Sequence, residues 1–161
     1  MENKALDEVA TEMYEIVHEL LKKYQFRDRN QICCHDITVS QCYVMSELKT
    51  APLSMRSLAN ALFLDISTMS RVVDQLQKKG YAEREQDPGD KRIIYVSLTE
   101  SGKKLLSEIE ENLIASEKEI LQQISPAARH SVLFVLRELE KSVAGWQHHC
   151  CVVPGKNQSI S

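Results

Sequence analysis

The 161-residue sequence contains no apolar run approaching the roughly 20 residues that a membrane-crossing helix requires, so no such helix is expected. Its opening stretch, MENKALDEVATEMYEIV, is acidic where a secretory signal would be basic, and a cytoplasmic location is the expectation. A Gly-x-Ser-x-Gly elbow, a phosphate-binding glycine loop and a His-Glu-x-x-His pair are all missing, which removes the usual sequence signs of an enzyme. Internal repeats and low-complexity segments are missing too. There is no excess of positive charge: 20 Lys and Arg stand against 23 Asp and Glu, a net charge of −3. The 5 cysteines, an odd number in a chain expected to be cytoplasmic, argue against a disulfide framework and for reduced thiols.

What is present suits one domain of ordinary size: 43% hydrophobic and 27% charged residues, enough to bury a sizeable core. The charge is unevenly divided. Between Arg56 and Arg92 there are seven basic and six acidic residues, so the acidic excess lies elsewhere. That local balance is modest for a nucleic-acid binder, and affinity would depend on where a few cations are placed and on doubling by a dimer.

Leu6, Val9, Met13, Ile16, Val17, Leu20, Leu21 and Tyr24 recur at helical spacing and predict a first helix from about Asn3 to Tyr24. A polar loop over Gln25 to Asp36 is expected next. Thr38 and Gln41 form a capping box for a second helix, with Ile37 and Cys42 at the positions of a hydrophobic staple, and Pro52 prevents its extension. Farther on, Thr99 is an N-cap for a long helix carrying Leu105, Leu106, Ile109, Leu113, Ile120 and Leu121. Ser125-Pro126 restarts the chain for a last helix marked by Val132, Leu133, Leu136, Leu139 and Val143.

Between these helices lies the stretch from Ser54 to Gly102. Ser54 caps a short helix with apolar Leu58, Ala61 and Leu62. Asp65 caps another, in which Met69, Val72, Val73 and Leu76 form one stripe and Thr68, Arg71, Gln75 and Lys78 the opposite face. Gly80 ends it. The period then becomes alternating, giving two short strands, Tyr81 to Glu85 and Ile93 to Leu98, joined by an exposed Pro-Gly loop from Gln86 to Arg92. Helix, turn, helix and hairpin in this order predict a mainly α protein with a small β-hairpin wing, a winged helix-turn-helix. In that architecture the second helix enters the DNA major groove, and the wing tip reaches the minor groove or the backbone.

The motifs Ser57-Leu58-Ala59, Ser67 through Leu76, Lys79-Gly80-Tyr81, Asp87-Pro88-Gly89-Asp90-Lys91-Arg92 and Leu98-Thr99-Glu100-Ser101-Gly102 together resemble the MarR family of bacterial transcription regulators. The resemblance covers the chain apart from the cysteine-containing loop and the C-terminal tail. It implies a cytoplasmic homodimer on a palindromic double-stranded DNA operator, usually a repressor that an effector releases, and no enzyme activity. Residues 37–102 would be the DNA-binding region and 99–124 a long linking helix. Residues 1–36 and 125–146 would supply dimerisation helices, and 147–161 a flexible tail. The apolar helical surface outside the winged unit exceeds what its own core needs, as dimerisation would explain.

On this reading Ser67, Thr68, Ser70 and Arg71 are candidates for base and phosphate contact, with Gln75 and Lys78 beside them. The resemblance assigns Arg92, next to Lys91, to the minor groove and Asp90 to bracing it. A second cluster, Cys33, Cys34 and His35 in the loop with Cys150 and Cys151 in the tail, has the chemistry of a zinc or other thiophilic-metal site or of redox-active thiols. Asp36, His148 and His149 adjoin it, and Cys42 is expected to be structural. The family's common redox sensors carry a cysteine in the first helix, where none is expected here. A small organic effector, a winged helix used for protein contact and a metalloenzyme are the competing readings.

Overall fold

The computed structural model describes the backbone of residues 2–150 and the side chains of residues 4–146. The chain divides into two compact units, the first ending at Ile114 and the second beginning at Ala115. In order, the elements are α1 (Glu2–Cys33), α2 (Val39–Glu47), β1 (Leu53–Ser54), α3 (Met55–Ala61), α4 (Ile66–Lys78), β2 (Ala82–Gln86), β3 (Ile94–Leu98), α5 (Glu100–Gln122) and α6 (Pro126–Cys150).

The helix starts follow from local chemistry. The Thr38 hydroxyl accepts from the Gln41 amide at 3.2 Å while the Gln41 side chain accepts from the Thr38 amide at 3.0 Å, completing the capping box of α2. Ser54 accepts from the Ser57 amide at 3.1 Å and Asp65 from the Thr68 amide at 2.8 Å, capping α3 and α4. Ends are equally specific. Gly80, at φ 76°, donates to the Gln77 carbonyl and Tyr81 to that of Leu76, the paired bonds of a Schellman stop. The turn between α3 and α4 repeats this pattern with Phe63 and Leu64 donating to Asn60 and Ala59. Here the left-handed residue is Phe63, at φ 53° and 71% exposed, where a Cβ costs about 1–2 kcal/mol.

The sheet has three strands in the order β1-β3-β2, all antiparallel, so the expected two-stranded wing is extended by Leu53 and Ser54 opposite Val96 and Tyr95. A two-residue strand carries no readable alternation. In β2–β3 the register pairs Ala82 with Leu98 and Gln86 with Ile94. Ala82, Val96 and Leu98 face inward and join a core with Ile32, Val44, Met45, Leu48, Leu58, Met69, Val73, Leu76, Leu106 and Ile109. Truncating one of its fully buried leucines to Ala would cost about 2–5 kcal/mol. Ala59, rather than the expected Ala61, is the buried alanine of α3.

Residues Gln25 to Cys33, expected as loop, continue α1. Their polarity is misleading because tertiary contacts hold them: Ile32 is fully buried, and Asp28 accepts from the Tyr43 hydroxyl at 3.2 Å. The non-helical connection shrinks to the few residues after Cys33, with Asp36 left-handed at φ 57°. After the wing, the start of α5 is fastened to the end of α4: Thr99 and Ser101 hydroxyls donate to the Gly80 carbonyl at 2.7 and 2.9 Å. Gly102 is required there, since a Cβ would collide with the Tyr81 carbonyl oxygen.

In the second unit, Pro126 opens α6 as expected, and Arg129 donates to the Leu121 and Ile124 carbonyls at 2.9 and 3.1 Å, satisfying the end of α5. α6 continues to Cys150, so its helical backbone includes the first part of the expected tail. Val132 and Leu139 are half-buried, whereas Leu133, Leu136 and Val143 are exposed. No helix among the described residues is long and apolar enough to cross a membrane.

Candidate nucleic-acid interface

The apolar stripe of α4 is committed to the core through Met69, Val73 and Leu76, which fixes the opposite side of the helix outward. Ser67, Arg71, Gln75 and Lys78 are exposed on it, with Thr68 and Ser70 half-buried alongside. Asp65, the cap, does more than hold the Thr68 amide. Its carboxylate also accepts from the Ser67 hydroxyl at 2.5 Å and the Thr68 hydroxyl at 2.7 Å. Those bonds, from Ser67 first and then Thr68, hold the Asp65 carboxyl well below its usual range, so it is ionised at neutral pH.

The wing is built on a turn in which the Asp87 carboxylate accepts from the Gly89 and Asp90 amides at 2.7 and 2.8 Å. Asp90 then grips Arg92 at both ends of the guanidinium, Nε at 3.0 Å and Nη2 at 2.9 Å, and also accepts from the Arg92 amide at 3.0 Å. The Arg92 side chain is 90% exposed, so it is oriented by its neighbour without being buried by it. The same pairing lowers the Asp90 pKa and raises that of Arg92. Lys91 is exposed beside it.

Wing and helix meet across a cleft of about 740 Å³ lined by Arg56, Ile66, Ser70, Arg84, Asp90 and Arg92, among others. Arg84 on β2 spans its base, 2.6 Å from Asp74 and 3.2 Å from the Ser70 carbonyl that its guanidinium serves. The sequence reading included neither Arg56 nor Arg84 among the contacts; a lone arginine at a helix start or in a strand has no pattern of its own. Among the described residues no ion pair engages Arg56, Arg71, Lys78 or Lys91. Lys79, by contrast, is turned away to the Asp36 carbonyl and carboxylate.

The sulfur-rich candidates are less gathered. Cys33 proves to be the last residue of α1, so the first helix does contain a cysteine, and Cys34 follows it; both are exposed. The Cys34 thiol donates to the Gln31 carbonyl at 3.0 Å. His35 is half-buried, with its Nε2 buried and unbonded among the described residues. No three His, Cys, Asp or Glu side chains converge on a common point among the described residues. The side chains of His148, His149 and Cys150, and all of Cys151, lie outside them. Cys42 is buried in the core with Ile37, and burial, aided by Asp28 and Glu110, pushes its thiol up to about 11.

A three-stranded wing on a helix-turn-helix with an outward polar second helix defines a winged-helix protein. Residues 35–93 match the model of the MarR family. Among curated proteins, the transcriptional regulator SarZ of Staphylococcus haemolyticus is 31% identical over 91 residues, 56% of this chain and 59% of that protein. Among solved structures, wild-type MarR of E. coli superposes with a TM-score of 0.71 at 22% identity, over 78% of this chain and 93% of the other. Streptococcus pneumoniae FabT, solved in complex with DNA, gives 0.76 at 16% identity over 84% and 98%. Over residues 35–93 the chain is similar to the MarR family. Its match spans about six-tenths of the SarZ regulators' length, and the likeness to solved structures establishes the fold. The SarZ relatives are named transcriptional regulators, in line with the expectation that this chain is not an enzyme.

Proposed function

We propose that this chain is a sequence-specific DNA-binding transcription regulator, a cytoplasmic repressor that binds a palindromic operator as a homodimer and is released by an effector. One observation carries the reading: α4 turns Ser67, Thr68, Arg71, Gln75 and Lys78 outward beside the cleft whose far wall bears the braced Arg92. α4 would lie in the major groove, a phosphate strand would run past Arg56, and Arg92 would enter the adjacent minor groove. FabT, similar in fold, was solved with DNA, which supports this placement.

Dimerisation is supported by apolar side chains left exposed on two terminal helices: Leu6, Val9, Met13, Ile16 and Leu20 on α1, and Leu133, Phe134, Leu136 and Trp146 on α6. A second copy is the partner that would cover them. Two-fold symmetry then places half-sites about 10 base pairs apart, or a small multiple. For the effector, the exposed neighbours Cys33 and Cys34 fit a thiophilic metal or an oxidant, with His35, Cys150 and Cys151 as further donors.

The test is a gel shift on the DNA flanking the protein's own gene, with sedimentation of the same preparation. A specific shift by a dimer is expected, lost together with dimerisation when residues 1–21 are deleted. Absence of any specific shift would remove the regulator reading. Cys33→Ser with Cys34→Ser should blunt release by zinc, arsenite or peroxide; wild-type protein indifferent to all three would return these cysteines to a structural role.

A further inference from the structure

The hydroxyls at the start of α4 are not interchangeable donors and acceptors, because Asp65 has fixed their polarity. A hydroxyl has one hydrogen and two lone pairs, and an ionised carboxylate can only accept. Ser67 and Thr68 both lie within hydrogen-bond distance of the Asp65 carboxylate, at 2.5 and 2.7 Å. Each must therefore spend its single hydrogen on Asp65, and what it presents outward is lone pairs alone. Ser70 has the opposite arrangement: the Arg84 guanidinium donates to its oxygen at 3.4 Å, and its own hydrogen is committed to no acceptor among the described residues.

Resting on the DNA-binding reading above, we propose that Ser67 and Thr68 are specificity residues that act as acceptors only, selecting the exocyclic amino groups of adenine or cytosine in the major groove. In that groove adenine N6 and cytosine N4 are the only base donors, whereas guanine N7 and O6 and thymine O4 are acceptors. Lone pairs facing guanine or thymine at these steps would meet lone pairs. The same carboxylate repels phosphate, so the first turn of α4 is directed to bases and leaves phosphate to the arginines. Ser70, with its hydrogen uncommitted, complements the pair as a donor to guanine, thymine or the backbone. Asp65 is a positioning residue: it touches no base and acts through the two hydroxyls.

The experiment uses the full-length chain. Binding sites are selected from random duplex DNA at fixed salt, and each adenine or cytosine of the half-site is replaced in turn by purine or 2-pyrimidinone, which lack only the amino group. At one or two positions the loss should weaken wild-type binding about threefold to tenfold, the range of one net hydrogen bond, and the penalty should vanish in Ser67→Ala or Thr68→Val. Asp65→Asn keeps an equally good cap but supplies N–H donors, freeing one hydroxyl to donate. With unchanged melting, this variant should accept guanine or thymine at the same position. Amino deletion without effect anywhere in a specifically bound half-site, or an Asp65→Asn variant with unaltered base preference, would overturn the proposal while leaving DNA binding intact. Recovery of no preferred sequence at all would instead overturn the DNA-binding reading itself.

Discussion

Arg84 on strand β2 reaches across to Asp74 on α4, with Nη1 2.6 Å from Oδ1, while its other terminal nitrogen donates to the Ser70 carbonyl at 3.2 Å. The Arg84 side chain is mostly covered, so the pair works as a strut fixing the wing's angle to the helix. Arg84→Met should lower unfolding stability by about 1–2 kcal/mol, as expected for lost hydrogen bonds to a charged group, partly screened. A double-mutant cycle with Asp74→Ala, read by urea denaturation, should give a coupling above about 0.5 kcal/mol. Additive effects would mean that the two side chains do not act together.

Arg92 presents the contrasting case of an arginine held but not packed. Arg92→Ala should leave the melting temperature unchanged and weaken operator binding at fixed salt by about 1–3 kcal/mol. Affinity equal to wild type would take the wing out of the DNA contact.

Phe63 occupies the left-handed turn between α3 and α4 with most of its ring in solvent. Relieving the Cβ clash should outweigh the extra chain entropy of glycine, so Phe63→Gly is expected to stabilise the fold by about 0.5–1 kcal/mol. A destabilised variant in thermal or urea melts would point to a packing role for the ring.

Cys42 should resist alkylation at pH 8 in the native protein while Cys33 and Cys34 react, since its thiol is buried and titrates near 11. The raised value has a definite sign for stability. The folded state holds this proton more tightly than the unfolded one, so the contribution is complete below the ordinary thiol pKa of about 9 and is lost as pH climbs toward 11. Cys42→Ala should flatten the decline of stability over that window, and an unchanged alkaline limb would show that other groups cause it.

The sequence alone determined the winged helix-turn-helix, because its signals are local: the Thr38, Ser54 and Asp65 caps, the Gly80 stop and the change from helical to alternating period need only a few neighbouring residues. It also marked the outward face of α4, since a core-facing stripe dictates its opposite. Tertiary structure decided what depends on residues far apart in the chain. Ile32 and the Asp28–Tyr43 bond carried α1 through a polar stretch to Cys33, and pairing with β3 made a strand of Leu53 and Ser54. Folding brought Arg56, Arg84 and Arg92 to one cleft. The polarity of the Ser67 and Thr68 hydroxyls lay between these limits. Asp65, Ser67 and Thr68 are near neighbours, yet only the folded rotamers aim both hydroxyls at one carboxylate, because a hydrogen bond is set by direction as well as by proximity.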